Sequence, residues 1–190
     1  MTQELKRVLI MAGGTGGHVF PGLATADYLR SHGVEVAWLG TAAGIEARLV
    51  PEANYPLHLI NISGLRGKGI KTLLQAPFKI MSAIMASRKV MNAFKPDVVI
   101  GMGGFVSGPG GFAAMLTGCP LIIHEQNAIA GFTNKLLSRI AKRVMTGFPG
   151  AFPGMSKAVT VGNPVRAAIE EIPPPLARFD SEQTKMRLLV

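Results

Sequence analysis

The chain has 190 residues, of which 48% are hydrophobic and 16% charged, and a net charge of +9. That length buries a sizeable core. The single cysteine, Cys119, excludes a disulfide framework and cannot alone make a zinc site, so a reducing cytoplasm is the expected compartment.

The charge is uneven. Residues 61–169 carry thirteen Lys or Arg against two acids, Asp97 and Glu125, whereas residues 1–60 carry four against five. A field of that sign favours an anionic partner, such as a phosphate or an acidic lipid surface. The basic region has few aromatics and no RNA-binding signature, so nucleic acid is not expected.

Residues 1–6 contain no apolar signal core, and residues 5–12 read as a buried strand. The strand runs into Gly13-Gly14-Thr15-Gly16-Gly17-His18 and a helix to about His32, closed by Gly33. Residues 34–39 are a second strand, 44–53 a short helix and 57–62 a third strand. Residues 64–69 form a basic, glycine-rich loop. Residues 70–94 predict a long helix that Pro77 kinks or breaks. Residues 97–100 and 120–124 are strands, 129–141 a helix, and 143–148 and 158–161 short strands.

Residues 98–123 carry no charge and are long enough to span a bilayer, but seven glycines and two prolines divide them into strand, turn, helix and strand. The alternation predicts an α/β fold, a Rossmann-like doubly wound parallel sheet with its glycine-rich loops gathered at the carboxyl edge. The expected organisation is a domain over residues 1–166, a proline-rich linker over 167–185, and the first strand of a second domain over 186–190.

The first glycine run lets a ligand reach bare backbone. The helix start behind it offers free N–H groups and partial positive charge to a phosphate or developing anion. It does not complete G-x-G-x-x-G, because Val19 stands at the third glycine position, and no acid closes the second strand. Both points weigh against a dinucleotide oxidoreductase. A second glycine-rich run spans Gly101 to Gly111. Two such loops on one edge can face each other across a cleft and approach a diphosphate.

His124-Glu125-Gln126-Asn127 ends another strand, and there Glu125 suits a base or a sugar-hydroxyl acceptor. Arg166 is a candidate bidentate phosphate donor. Along the long helix Leu73, Leu74, Phe78 and Met81 lie among Lys71 and Lys79 with no acid. That pattern suits an anionic bilayer face, or a core stripe with a wetted lysine face. No metal-ligand cluster or Asp-x-Asp pair is visible, so neither a metal nor another cofactor is expected.

Taken together, GGTGGHVFPGLA (13–24), ISGLRGKG (62–69), GMGGFVSGPGG (101–111), HEQNAIAGFTNK (124–135) and GNPVR (162–166) make the chain resemble the N-terminal half of the MurG family, the N-acetylglucosaminyltransferases of bacterial peptidoglycan synthesis. The resemblance implies a two-domain GT-B fold. It implies inverting transfer of N-acetylglucosamine from UDP-N-acetylglucosamine (UDP-GlcNAc) to the C4 hydroxyl of the muramoyl sugar of lipid I (undecaprenyl-diphosphate-MurNAc-pentapeptide). The product is lipid II, made at the cytoplasmic face of the inner membrane by a peripheral enzyme.

It implies donor contacts from Thr15, Gly16, Gly17, Asn127 and Arg166. The acceptor diphosphate is expected at Gly13, Gly14, Gly103, Gly104, Ser107 and Asn134. Leu73, Leu74, Phe78, Met81, Lys71 and Lys79 are the expected membrane patch, helped by Lys135, Arg139, Lys142 and Arg143. The family's second loop usually carries tyrosine where this chain has Phe105, which removes a hydroxyl. His18 and Glu125 compete as the base, and a helix N-terminus would keep His18 neutral. Most uridine contacts belong to the family's second domain, so the chain alone is expected to be inactive. A non-catalytic lipid-diphosphate binding module at the membrane surface is the alternative.

Overall fold

A computed structural model describes residues 5–62, 70–174 and 177. At its centre is β1 (Arg7–Ala12), whose residues Val8 to Ala12 are completely buried. Strand alternation sends Val8, Ile10 and Ala12 to one face and Leu9 and Met11 to the other. The first set packs with Val19, Leu23 and Ala26 of α1 (Gly16–Ser31) and Val50 of α2 (Glu46–Glu52). The second packs with Ala83, Ile84 and Met91 of α3 (Ile70–Phe94) and Ala113 and Ala114 of α4 (Ser107–Thr117). A strand apolar on both faces is what a parallel sheet covered by helices requires.

The remaining strands are β2 (Glu35–Gly40), β3 (Leu57–Leu59), β4 (Val98–Gly103), β5 (Leu121–Glu125), β6 (Arg143–Thr146) and β7 (Ala158–Thr160). All pair in parallel, in the order β3-β2-β1-β4-β5-β6-β7. The order reverses between β1 and β4. Outside the carboxyl ends of those two strands lies the crevice in which open α/β sheets bind ligands. Both glycine-rich runs meet there.

Several boundaries differ from the sequence expectation. β4 continues to Gly103, because the ladder with β1 carries on through Met11–Gly101 and, after a register shift, Ala12–Gly103. The first part of the second glycine run is therefore strand. Pro77 does not end α3, which is a single 25-residue helix. The helix after β5, α5, spans Phe132–Leu137 and not residues 129–141. The Glu125 carboxylate takes the Asn127 and Gly131 amides and holds the intervening residues as a loop. At the other end, the Lys142 amide donates to Leu121 and turns the chain into β6. The first residues of the expected linker form α6 (Ala167–Glu170). The basic loop at 64–69, most of the remaining linker and the strand expected at 186–190 lie outside the described residues.

At the crevice, Gly103 and Gly104 have φ of +115° and +84°. A Cβ on Gly104 would run into the Gly13 carbonyl, so the two turns touch backbone to backbone. The Trp38 indole N–H donates to the Ala12 carbonyl at 2.9 Å and pins the end of β1 beneath this contact. Gly104→Ala is expected to lower unfolding free energy by about 1–3 kcal/mol, through backbone strain and steric collision together. Urea unfolding measures this, and an unchanged midpoint would contradict the contact.

Candidate functional site

The site grows from the first turn of α1. Thr15, at the N-cap, is extended (φ −121°, ψ 157°), and its side chain does not cap the helix. Its Oγ1 lies 3.1 Å from His18 Nδ1 instead. The Gly16 and Gly17 amides, at the start of the helix, have no carbonyl one turn back to bond. The His18 ring lies over Gly103, where a Cβ would meet Cδ2 and Nε2. His18 is partly buried, and burial lowers its pKa below the ordinary histidine value, while the Glu125 charge pulls upward. A neutral imidazole was expected from the helix terminus; here it follows from desolvation.

Glu125 is 1% exposed and fully engaged. Oε1 accepts from the Asn127 amide at 3.0 Å and from Asn127 Nδ2 at 2.8 Å. Oε2 accepts from the Gly131 amide and from Asn134 Nδ2, each at 3.0 Å. Four donors surround the carboxylate that was the competing base candidate. His124, beside it, is buried. Its Nε2–H donates to the Gly162 carbonyl at 2.9 Å, and Nδ1 accepts from Gln126 Nε2 at 3.0 Å. That pattern assigns a neutral ring. Burial lowers the pKa, against the Gly162 hydrogen bond and the Glu125 charge.

Several expected diphosphate contacts are spent inside the fold. The buried Ser107 Oγ lies 2.8 Å from the Gly103 carbonyl and 3.0 Å from that of Met11, and it accepts from the Gly103 amide at 3.1 Å. Asn134 gives both amide hydrogens away, to Glu125 and to the His124 carbonyl. It leaves only Oδ1, buried and unpartnered, which cannot donate to a phosphate. The Gly14 amide donates to Glu46 Oε2 at 2.9 Å. Ser107, Asn134 and the Gly14 and Gly103 amides thus shape the loops, while Gly13 and Gly104 provide the contact between them.

Glu46 went unnoticed in the sequence. It is wholly buried, and its Oε1 accepts from the Thr41 amide and hydroxyl at 3.0 and 2.7 Å. An acid two residues after Gly44, just past the glycine-flanked turn that follows a strand end, was the available signal.

Two spaces flank the first turn of α1. One, of about 500 Å³, is mostly apolar, lined by His18, Gly103, Gly104 and Asn134 with Ile62, Ile80, Phe105, Phe112 and Phe132. The other, of about 460 Å³, is lined by Gly16, Gly17, Asn127 and Arg166 with Phe20 and Asn163. Arg166 stacks on the Phe20 ring at 4.4 Å. Four of the five expected donor residues, Gly16, Gly17, Asn127 and Arg166, therefore share one groove, and Thr15 does not line it. Gly13 and Gly14 line a smaller space of about 170 Å³, bordered like the apolar cavity by Ile62 and Phe105.

Along α3, Leu74, Phe78, Met81 and Met85 are 72%, 80%, 58% and 50% exposed, at spacings that form one stripe. Ala76, Ala83, Ile84 and Met91 are buried on the opposite side. Nothing is described of the Lys71 and Leu73 side chains. No helix among the described residues is long and apolar enough to cross a membrane. Among the same residues, no cluster of three or more His, Cys, Asp or Glu is placed to hold a metal.

Residues 8–146 match the glycosyltransferase family 28 N-terminal domain. Over all 190 residues the chain is 55% identical to the UDP-N-acetylglucosamine–N-acetylmuramyl-(pentapeptide) pyrophosphoryl-undecaprenol N-acetylglucosamine transferase of Pasteurella multocida, covering 53% of it. The protein of the same name from Mannheimia succiniciproducens is 57% identical over 187 residues, 98% of this chain and 52% of the relative. Among solved structures, Acinetobacter baumannii MurG superposes with a TM-score of 0.74 at 46% identity, over 87% of this chain and 47% of that one. The chain spans about half the length of the curated relatives it matches.

Both depressed imidazoles carry a stability consequence. An unfolded histidine takes up a proton near pH 6.5, whereas folded His18 and His124 resist it. Their contribution is full above about pH 6.5 and is lost as pH falls toward the folded values. The melting temperature should therefore fall between about pH 7.5 and about pH 5.5, and His18→Ala should remove part of that fall. The same dependence in both proteins would rule out the His18 part.

Proposed function

The chain belongs to glycosyltransferase family 28, whose N-terminal domain it carries, and from that membership we propose that it is the acceptor-side half of an inverting N-acetylglucosaminyltransferase. The full-length protein moves N-acetylglucosamine from UDP-GlcNAc to the C4 hydroxyl of the muramoyl sugar of undecaprenyl-diphosphate-linked lipid I, giving lipid II. The observation that carries this reading is the position of His18, on the helix turn between a strongly apolar cavity and a more polar groove.

In this reading the acceptor sugar enters by the apolar cavity and the sugar nucleotide by the polar groove. In the tautomer this requires, His18 carries its hydrogen on Nδ1, 3.1 Å from Thr15 Oγ1, and the Nε2 lone pair takes the hydroxyl proton. The acceptor oxygen bonds to the anomeric carbon as the bond from that carbon to the diphosphate oxygen breaks. The electron pair departs on UDP, and in-line displacement inverts the centre. The nearby Glu125 charge favours the imidazolium that forms. The free Gly16 and Gly17 amides and Arg166 oppose the charge developing on the leaving group. Glu125, with its four donors, serves as an anchor for its loop and not as the base. Phe105 keeps an aromatic wall on the cavity without a hydroxyl.

The α3 stripe and its lysines meet anionic lipid at the cytoplasmic membrane face, beside Ile80, which lines the cavity. The enzyme is then peripheral, and its lipid-linked substrate stays in the bilayer.

His18→Ala in the full-length protein should cut turnover by at least ~10²-fold while leaving the fold intact. Near-normal turnover would take His18 out of the chemistry. Substrate binding with no transfer by the unmutated full-length protein would favour the non-catalytic lipid-diphosphate module. Leu74→Glu with Phe78→Glu should weaken sedimentation with phosphatidylglycerol vesicles by about 10-fold. Undiminished sedimentation would place the membrane contact elsewhere.

A further inference from the structure

We propose that Glu46 is a positioning residue for the transfer, holding the turn that carries Thr15 and His18 in register with Gly103; this rests on the transferase reading above. Glu46 touches neither cavity assigned to substrate, and nothing in that mechanism uses it. Yet the fold is built around its carboxylate. A Cβ on Gly13, Gly40 or Gly44 would run into the Glu46 side chain, so three glycines leave the space it fills. Among the described residues no cation pairs with it; the ion pairs found there are Arg30–Asp27 and Arg48–Glu52. Its charge is met by the Gly14 amide and by the Thr41 amide and hydroxyl.

Those donors belong to two different turns, after β1 and after β2. Glu46 therefore ties the first glycine turn to its neighbour on one side, while Gly104 touches it on the other. Gly14 leads directly into Thr15, whose hydroxyl meets the His18 ring. A displacement of this turn would move the imidazole off Gly103 and shift Gly16 and Gly17 with it, while Asn127 and Arg166 of the groove stand on other segments.

The test uses Glu46→Gln, which keeps the size but turns one acceptor into a donor facing donors. In the full-length transferase, turnover should fall by about 10²-fold, the loss expected for misplacing a reacting group by about 1 Å. KM for UDP-GlcNAc should change far less than turnover, because Asn127 and Arg166 of the groove stand on segments that Glu46 does not touch. In the 190-residue chain, the His18 titration followed by NMR should move up toward the free-histidine value as the ring loses its burial. Gly13→Ala keeps the carboxylate and presses a methyl against it, so it should reproduce both changes; it decides the matter if the glutamine variant does not fold.

A folded glutamine variant with unchanged turnover and unchanged His18 titration would overturn the proposal. So would Gly13→Ala with both unaltered. If the unmutated protein transfers no sugar, the transferase reading fails, while the His18 titration still reports whether Glu46 holds the turn.

Discussion

The contact between Gly104 and the Gly13 carbonyl sets two turns backbone to backbone at the point where the strand order reverses. No side chain separates them, so their spacing is fixed by atoms that have no rotamers. Close-packed interiors transmit such constraints with little slack. What stands above the contact inherits its definition: His18 over Gly103, Thr15 beside His18, and the unbonded amides of α1 next to them. A rigid sheet edge carrying short, glycine-rich turns holds a reacting group more accurately than a long loop could.

Two buried carboxylates complete the scaffold in the same way. Glu46 takes three donors from the turns after β1 and β2, and Glu125 takes three from the loop after β5 and a fourth from Asn134 in α5. Burying a carboxylate costs several kcal/mol, and hydrogen bonds to a charged group return about 1.5–3 kcal/mol each. The two quantities are of the same order, so neither acid is explained by stability. What each provides is direction: a carboxylate accepts from several amides at once and leaves a loop few alternative shapes. The consequence for ligands is that the Gly14 and Gly103 amides and the Asn134 and Ser107 side chains are occupied. The amides at the start of α1 are not drawn into this network.

Much of this was legible in the sequence. Alternating apolar strands and helices, together with the two glycine runs, place the parallel sheet and its crevice before any coordinates. Four of the five residues expected to meet the donor line one groove, because Gly16 and Gly17 are tied to the helix start and Asn127 and Arg166 follow strand ends on the same edge, while the Thr15 hydroxyl turns to His18. What could not be read was hydrogen-bond direction. Asn134 and Ser107 carry the atoms of phosphate ligands, and only their partners reveal that those donors face inward. Glu46 is one of two acids in a short helix, and nothing local announces that Gly13, far back in the chain, stands against it. The Pro77 break failed for a similar reason: packing of Ala83, Ile84 and Met91 against the sheet helices holds α3 across a residue with no amide hydrogen.

The basic character of the chain also has a definite place. Among the described residues no Lys or Arg lines the apolar cavity, and Arg166 is the cation that lines the polar groove. Lys79, Arg88, Lys89, Lys135, Arg139, Lys142 and Arg143 are exposed instead. Charges so placed act over roughly a Debye length, about 8 Å at physiological salt, and bear on approach more than on chemistry. In the proposed reaction the work inside the crevice falls to oriented amides and one neutral imidazole, which need no rearrangement as charge develops. A surface that attracts anions and a site that handles them with fixed dipoles are separate devices. In the proposed reaction they belong to separate events, capture at an anionic bilayer and transfer within the cleft. Neutralising the exposed cations should therefore weaken binding to membranes and leave the pH dependence of His18 where it was.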